Sequence, residues 1–149
     1  MVTTTLSLTG RALRLLSARE HSRAELERKL AQYEEAPGDL AKVLDTLQAK
    51  DFINEGRVVD SVVHRRAGKL GASRIKQELQ AKGLEPQAVA EAVHVLRASE
   101  LDRAREVWRK KFGQQPADAS ERAKQMRFLA SRGFGGDTIH KVVSGSNDD

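Results

Sequence analysis

The chain has 149 residues and no cysteine, and 32% of its residues are charged. Without cysteine there are no disulfide bonds or thiolate metal sites, and no apolar run approaches the roughly 20 residues that cross a membrane. The net charge of +5 allows nucleic acid or an acidic protein as partner without requiring either. We therefore expect a cytoplasmic monomer with no membrane partner and no bound cofactor.

Three helices are predicted in the first 53 residues. The first runs from about Arg11 to Ala18. Ser22 and Glu25 form a capping box, in which each side chain accepts a hydrogen bond from the backbone N–H of the other residue, and this pattern begins the second helix. The third helix is expected from about Asp39 to Ala49, and the turn at residues 51–54 carries an apolar plug.

The middle of the chain also contains three predicted helices. Four valines between positions 58 and 63 favour a helix from about Glu55 to Ala67, because their spacing suits a helix better than a strand. The fifth helix lies between Gly71 and Gly83; we expect Ser73 to cap its start and the second glycine to end it. The sixth begins at Pro86, where a missing N–H costs nothing, and runs to about Arg97.

Residues 100–143 carry the last three predicted helices. They run from about Glu100 to Phe112, from about Ala119 to Arg132, and from a cap at Asp137 to near Val143. Trp108 is assigned to the core, with base stacking as the alternative. Residues 144–149 are polar and end in two acids, and we expect them to form a flexible tail.

Apolar positions recur with a period of about 50 residues. Equivalent positions in three copies are Leu30, Leu79 and Leu129; Leu40, Val89 and Ile139; and Leu44, Val93 and Val143. Gln125 interrupts the pattern where the other copies have Leu26 and Ile75. Such a period is typical of tandem repeats. The alternative is a chance match of apolar positions between helices of similar length. We predict an all-α fold, an elongated tandem array of three three-helix repeats with about nine helices. The predicted units are residues 1–53, 54–99 and 100–143.

No catalytic constellation is visible in the sequence. The four histidines are scattered without metal-ligand spacing, and we expect each to be a surface or packing residue. The segment Gly68 to Gly71 contains glycines and a lysine but does not follow a predicted strand, so it is not a phosphate loop. The acidic residues are typical of helix surface rather than of a paired carboxylate site. We therefore expect neither an enzyme nor a metal protein.

Two clusters of cationic side chains stand out. One surrounds the junction of the fourth and fifth helices and consists of Arg65, Arg66, Lys69, Arg74 and Lys76. The other lies on the seventh helix, beside Arg103 and Arg105, and consists of Arg109, Lys110 and Lys111. Such clusters can bind phosphates or an acidic protein surface, and a solvated face is the alternative. We interpret these eight residues as candidates for partner binding or DNA binding, because the clusters occupy equivalent places in neighbouring repeats.

Several of these segments resemble the RecX family. They are Ser22 to Leu30, Gly71 to Leu79 with the following Lys82-Gly83-Leu84, Arg109 to Gly113, and Phe128 to Phe134. The similarity spans about Leu13 to Val143. The resemblance implies an all-helical protein of tandem three-helix repeats that regulates the RecA recombinase, usually as an inhibitor of its DNA-bound filament. It also implies that the protein has no known catalytic activity of its own.

Two functions of different classes are compatible with these residues. The resemblance implies a regulator that binds the RecA–DNA filament and modulates, most often inhibits, its recombinase and ATPase activity. Such a protein would also bind single-stranded or duplex DNA weakly through its cations. The alternative is a stand-alone, non-sequence-specific DNA-binding helical protein. An effect on ATP hydrolysis by the recombinase separates the two hypotheses.

Overall fold

Nine α-helices make up the described part of the molecule, residues 6–145 of this computed structural model. They are α1 (Leu8–Ala18), α2 (Arg23–Leu30), α3 (Asp39–Ala49), α4 (Glu55–Arg66), α5 (Ala72–Ala81), α6 (Pro86–Ala98), α7 (Glu100–Lys111), α8 (Ala119–Ser131) and α9 (Gly136–Ser144), with a 3-10 turn at Ala31–Tyr33. No strand occurs within this range, which confirms the all-helical prediction. Of the predicted polar tail, residues 146–149 lie outside the described range. Its first residue, Ser144, belongs to α9.

The starts of the helices follow local sequence signals in some places and distant contacts in others. The Ser22–Glu25 capping box forms as predicted, with both hydrogen bonds at 3.1 Å. The predicted caps Ser73 and Asp137 are wrong. The helices α5 and α9 begin after Gly71 and Gly135, and neither has a side-chain cap at that position. Both predicted caps lie within the first turn of their helices instead.

A buried carboxylate from α7 takes the place of these two caps. Glu100 Oε1 accepts a hydrogen bond from the Ala72 N–H at 2.7 Å. Its Oε2 accepts from the Gly135 N–H at 3.4 Å and from Thr138 Oγ1 at 3.5 Å. A negative charge at a helix N-terminus satisfies free N–H groups and interacts favourably with the helix dipole. Glu100 therefore holds the starts of α5 and α9 against the start of α7.

Each group of three helices encloses its own apolar core. The nine positions of the 50-residue pattern are all buried, and they belong to three separate clusters in α1–α3, α4–α6 and α7–α9. This arrangement confirms the prediction of three tandem three-helix units. The apolar plug of the turn at residues 51–54 is Ile53, which is buried, whereas Phe52 is 47% exposed.

The interruption of the pattern at Gln125 has a structural reason. The side chain is fully buried, and its Oε1 accepts a hydrogen bond from Trp108 Nε1 at 2.8 Å. Its Nε2 donates to the Gln114 carbonyl at 3.0 Å. A buried amide is tolerated when its donors and acceptors are paired. Trp108 packs against the third core, which favours the core interpretation over base stacking.

The joints between neighbouring units repeat the same contact. In the first joint, Ser22 Oγ donates to the Lys82 carbonyl at 2.5 Å. In the second, the Gly71 N–H donates to the Arg132 carbonyl at 2.7 Å. The two donors are 49 residues apart and the two acceptors are 50 residues apart, so the contacts join equivalent positions, although the first donor is a hydroxyl and the second is a backbone N–H. The start of one unit's second helix therefore meets the end of the next unit's second helix in both joints.

A row of units leaves more surface than a single compact core. The accessible surface is 9420 Å², whereas a compact protein of 16.5 kDa exposes about 7,500 Å². The excess surface agrees with the elongated array that the repeats predict.

Leu79 should be essential to the middle core. None of its surface is exposed, so Leu79→Ala should lower the free energy of unfolding by about 2–5 kcal/mol. Val95→Ala on α6 is the control, because Val95 is 69% exposed and its truncation should cost less than about 0.5 kcal/mol. Urea unfolding followed by circular dichroism measures both values. Equal free energies for the two variants would place Leu79 outside the core.

Gly71 should be required for the second joint. A Cβ atom at this position would lie 2.3 Å from the Gly133 carbonyl oxygen, and a backbone atom cannot rotate away. Gly71→Ala should therefore destabilise the protein by about 1–3 kcal/mol through overpacking. Gly68→Ala is the control, since a Cβ there meets no atom within 4 Å. Thermal unfolding compares the two, and a Gly71→Ala variant as stable as the control would contradict this tight joint.

Candidate binding groove

The two predicted cationic clusters meet across one groove between the second and third units. The groove has a volume of about 960 Å³, and its walls come from the end of α4, the turn that follows it, and helices α5, α7 and α8. The charged side chains that line it are Arg65, Arg66, Lys69, Arg74, Glu78, Lys110, Lys111 and Arg132. Seven cations and one carboxylate therefore converge on a single concavity.

The charge of this groove exceeds that of the whole molecule. Its lining has seven positive side chains against one negative, whereas the entire chain has a net charge of +5. The remainder of the protein is therefore close to neutral. Positive charge concentrated in a concavity focuses the field and attracts anions. This concentration favours a binding surface over an evenly charged, solubilising face.

Six of the eight candidate residues line the groove, and two do not. Lys76 lies at a separate cleft beside α6. Arg109 forms a bidentate ion pair with Glu106, at 2.6 and 3.0 Å. Arg132 lines the groove but was not among the candidates. Arg132 follows the last residue of α8, and Lys82 follows the last residue of α5, 50 residues earlier. This equivalence between repeats was the sequence signal that could have identified Arg132.

The carboxylate of the groove holds two arginines of α4. Arg66 Nε donates to Glu78 Oε1 at 3.0 Å, and Arg65 Nη2 lies 3.8 Å from Glu78 Oε2. All three side chains are partly exposed. Ion pairs in contact with water are weak, about 0–1 kcal/mol each. The two guanidinium groups can therefore exchange this carboxylate for another anion at small cost.

Arg74 bridges the second and third units in addition to lining the groove. Its Nη1 donates to the Ser131 carbonyl at 2.6 Å. Gly133 lies beside it with a φ of +89°, and a Cβ there would be 2.3 Å from Arg74 Cγ. Both the positive φ and the close approach require glycine at this position. Replacement of Arg74 would thus loosen the second joint as well as remove a charge.

An aromatic pair lies beside the basic wall of the third unit. Phe112 and Phe128 meet edge to face, with their ring centres 5.4 Å apart. Arg132 Cζ lies 4.7 Å from the centre of the Phe128 ring, and Lys111 Nζ lies 5.4 Å from it. Cation–π attraction favours both positions. This wall therefore combines positive charge with a flat, partly apolar surface.

The basic surface continues onto the first unit. A smaller cleft of about 420 Å³ shares Arg65, Arg66 and Glu78 with the groove. The cations that this cleft adds are Arg19, Arg28 and Lys82. Because the two concavities share these side chains, the basic surface extends over all three units.

Glu25 connects the first unit to the second at this smaller cleft. Its carboxylate pairs with Arg19 at 2.8 Å and with Lys82 at 3.2 Å. Burial alone would raise the pKa of Glu25, but hydrogen bonds from Arg19 and from the Ser22 backbone, together with Lys82, outweigh burial and lower its pKa to about 2. Glu25 is therefore ionised at neutral pH and holds the first joint together.

The histidines occupy packing and surface positions, as expected from their scatter. His21 is buried, and its Nδ1 donates to the Arg19 carbonyl at 3.0 Å while its Nε2 accepts from Lys29 Nζ at 3.1 Å. Burial lowers the pKa of His21, which agrees with a neutral ring. The other three histidines are exposed. Within residues 6–145, no group of three or more His, Cys, Asp or Glu is placed to hold a metal ion, and no helix there is long and apolar enough to cross a membrane.

These features define an all-helical repeat protein with a basic groove suited to anions between its second and third units. Comparison with known families agrees with this description. Models of the RecX first, second and third three-helix domains match residues 10–47, 54–93 and 98–143 in tandem. The chain belongs to the RecX family.

Relatives are similar over most of their length. Regulatory protein RecX from Leptothrix cholodnii is 56% identical over 93% of this chain and 88% of its own. Regulatory protein RecX from Herminiimonas arsenicoxydans is 52% identical over 86% of this chain and 85% of its own. The crystal structure of RecX from Lactobacillus salivarius has the same fold, with a TM-score of 0.78 at 21% identity over 94% of both chains.

Glu25 should make the stability of the protein depend on acid pH. Its folded pKa of about 2 is below the ordinary value of 4.5, so its stabilisation is present above about pH 4.5 and is lost as the pH falls towards 2. Glu25→Gln should therefore be less stable than the wild type at pH 7, and the difference should shrink between about pH 4.5 and 2. Thermal unfolding over a pH series measures this difference.

Glu27→Gln is the matched control for that series. Glu27 pairs with Arg23 at 3.2 Å, and its side chain is more than half exposed, so this variant should track the wild type across the series. A Glu25→Gln difference that stays constant from pH 7 to pH 2 would contradict the lowered pKa.

Proposed function

We propose that this protein regulates the RecA recombinase by docking its basic groove onto the recombinase–DNA filament, and that docking inhibits recombinase activity and ATP hydrolysis. The observation that carries the proposal is the convergence of seven cations from two units on one groove. The name of the relatives, regulatory protein RecX, supports a regulatory role. The resemblance to that family supplies the recombinase as the partner.

A recombinase–DNA filament presents two kinds of anion that suit this groove. The DNA contributes phosphates, and the protein subunits contribute carboxylates. Arginine binds either group with two parallel N–H donors, because its guanidinium is planar. Complementary charge also speeds association and disfavours wrong partners. Docking along the filament would hinder the addition or rearrangement of subunits and so lower ATP turnover without any chemistry by this protein.

In this proposal the protein acts as a cytoplasmic monomer that is not an enzyme and needs no cofactor. Its affinity for DNA alone is weak and independent of sequence. That affinity falls steeply with salt, because each phosphate contact releases counterions. The same cations are compatible with the second candidate, a stand-alone DNA-binding protein, so the recombinase must be present in the deciding experiment.

Removal of charge from the groove should weaken the inhibition of the recombinase. Arg65, Arg66 and Lys69 are the residues to replace, since they line the groove and the ion pairs of both arginines stay within the second unit. Arg74 is retained because it binds the Ser131 carbonyl of the third unit. The combined alanine variant should require about tenfold more protein for half-inhibition of ATP hydrolysis by preformed filaments.

The matched control removes three positive charges from outside the groove. Lys42, Lys76 and Arg97 are exposed, and their combined replacement by alanine should leave inhibition unchanged. Equal thermal stability of both variants establishes that they are folded. If the groove variant inhibits as well as the wild type, the groove is not the docking surface. If the wild type binds DNA but leaves ATP hydrolysis unchanged at stoichiometric excess, the stand-alone alternative is correct.

A further inference from the structure

We infer that Glu78 is an internal competitor for the ligand of the groove. Its carboxylate occupies the place beside Arg65 and Arg66 that a phosphate of single-stranded DNA takes when the strand binds, and the strand must displace it. This inference deepens the proposed function, because it concerns the same groove. It gives Glu78 the role of setting how tightly the groove holds DNA.

The position of Glu78 supports this role. Among residues 6–145, Glu78 is the one carboxylate that lines the groove, and it also lines the smaller cleft on the first unit. A strand that follows the basic surface from the third unit to the first therefore passes Glu78. Its oxygens are shared between two guanidinium groups, at 3.0 and 3.8 Å, as phosphate oxygens are in arginine sites.

The exposure of this ion pair allows it to open. The side chain of Glu78 is 26% exposed, and those of both arginines are 43% exposed. Water can solvate each group as the pair separates, so opening the pair costs little free energy. The arginines stay on α4 and Glu78 stays on α5 throughout. Only side-chain rotation is needed for an incoming phosphate to replace the carboxylate.

A nucleic-acid strand fits the remainder of the groove better than an acidic peptide does. The Arg132 guanidinium lies 4.7 Å from the centre of the Phe128 ring, and both residues line the groove. Bases stack on aromatic rings and on guanidinium planes while the phosphates bind cations. An acidic peptide would use the charge of this wall but not its flat surface. We therefore assign single-stranded DNA as the ligand class.

Glu78 weakens binding through its ion pair with Arg65 and Arg66, which must break before a phosphate reaches the two guanidinium groups. Glu78→Gln removes the charge while nearly preserving the size and shape of the side chain. The variant should therefore bind DNA more tightly than the wild type, although it contains the same cations.

The experiment measures binding of the full-length protein to a fluorescent oligothymidylate by anisotropy at physiological salt. Glu78→Gln should bind about fivefold more tightly, the effect expected on removing one partly exposed charge. Glu27→Gln removes the same charge from an ion pair with Arg23 outside the groove. Its affinity should be unchanged, because Glu27 lines neither the groove nor the smaller cleft.

A combined variant tests whether the effect acts through the arginines. In a background of Arg65→Ala and Arg66→Ala, the further change Glu78→Gln should give less than about a twofold gain, because the carboxylate then has no guanidinium to occupy. The inference is overturned if Glu78→Gln binds no tighter than the wild type, if Glu27→Gln gives an equal gain, or if the gain persists without the arginines.

Two further measurements test DNA as the ligand class and distinguish the role of Glu78 from the proposed function. Polyglutamate replaces DNA in a parallel titration, and a gain by Glu78→Gln for polyglutamate alone would overturn DNA as the ligand class. ATP hydrolysis by recombinase filaments is measured with the same proteins. A wild type without effect there, together with the fivefold gain for DNA, rejects the proposed function and retains the role of Glu78. Inhibition by the wild type without that gain rejects the role of Glu78 alone.

Discussion

The groove depends on the joint between the second and third units, and that joint depends on the buried carboxylate of Glu100. This residue belongs to α7, yet it accepts the first N–H of α5 and the Gly135 N–H that precedes α9. A buried charge without partners is costly. Separation of the two units would therefore leave Glu100 Oε1 and the first N–H of α5 without partners, while the contact with the Gly135 N–H stays within the third unit. This constraint holds α4 and α5 on one side of the groove and α7 and α8 on the other.

Arg103 supports the same joint with the opposite charge. It donates to the carbonyls of Ala67 and Leu70 at 2.8 and 2.7 Å and to that of Leu96 at 2.9 Å. The carbonyls of Ala67 and Leu70 lie beyond the last residue of α4, and that of Leu96 lies in the last turn of α6, where few intrahelical donors remain. Burial lowers the pKa of Arg103, but a guanidinium remains charged in proteins. Near the start of α7, Arg103 therefore stabilises the joint, whereas Lys110 near the end of the same helix lines the groove.

The accuracy of the sequence predictions depended on how far apart the interacting residues lie. The Ser22 capping box needs only a residue three positions later, so local sequence contains the whole signal. Ser73 was wrong as a cap because the acceptor comes from Glu100, 28 residues after the N–H that it binds, and only the fold brings the two together. Lys76 was grouped with its neighbours along the chain, although residues two apart on a helix face different directions. Arg132 was missed because its neighbours in space are far along the chain.

The distribution of ion pairs explains why the field of the protein is concentrated in the groove. Elsewhere, Arg23 is paired with Asp45 at 2.6 Å and Arg57 with Glu20 at 2.9 Å, so these cations contribute little to the field at a distance. In the groove, seven cations share one carboxylate, and most of that charge is unbalanced. Since the two walls belong to different units, the spacing of these charges depends on the geometry of the second joint. In the proposed docking, the packing of the units therefore sets the spacing of the charges that the ligand meets, and a change at the joint should alter binding without touching the ligand.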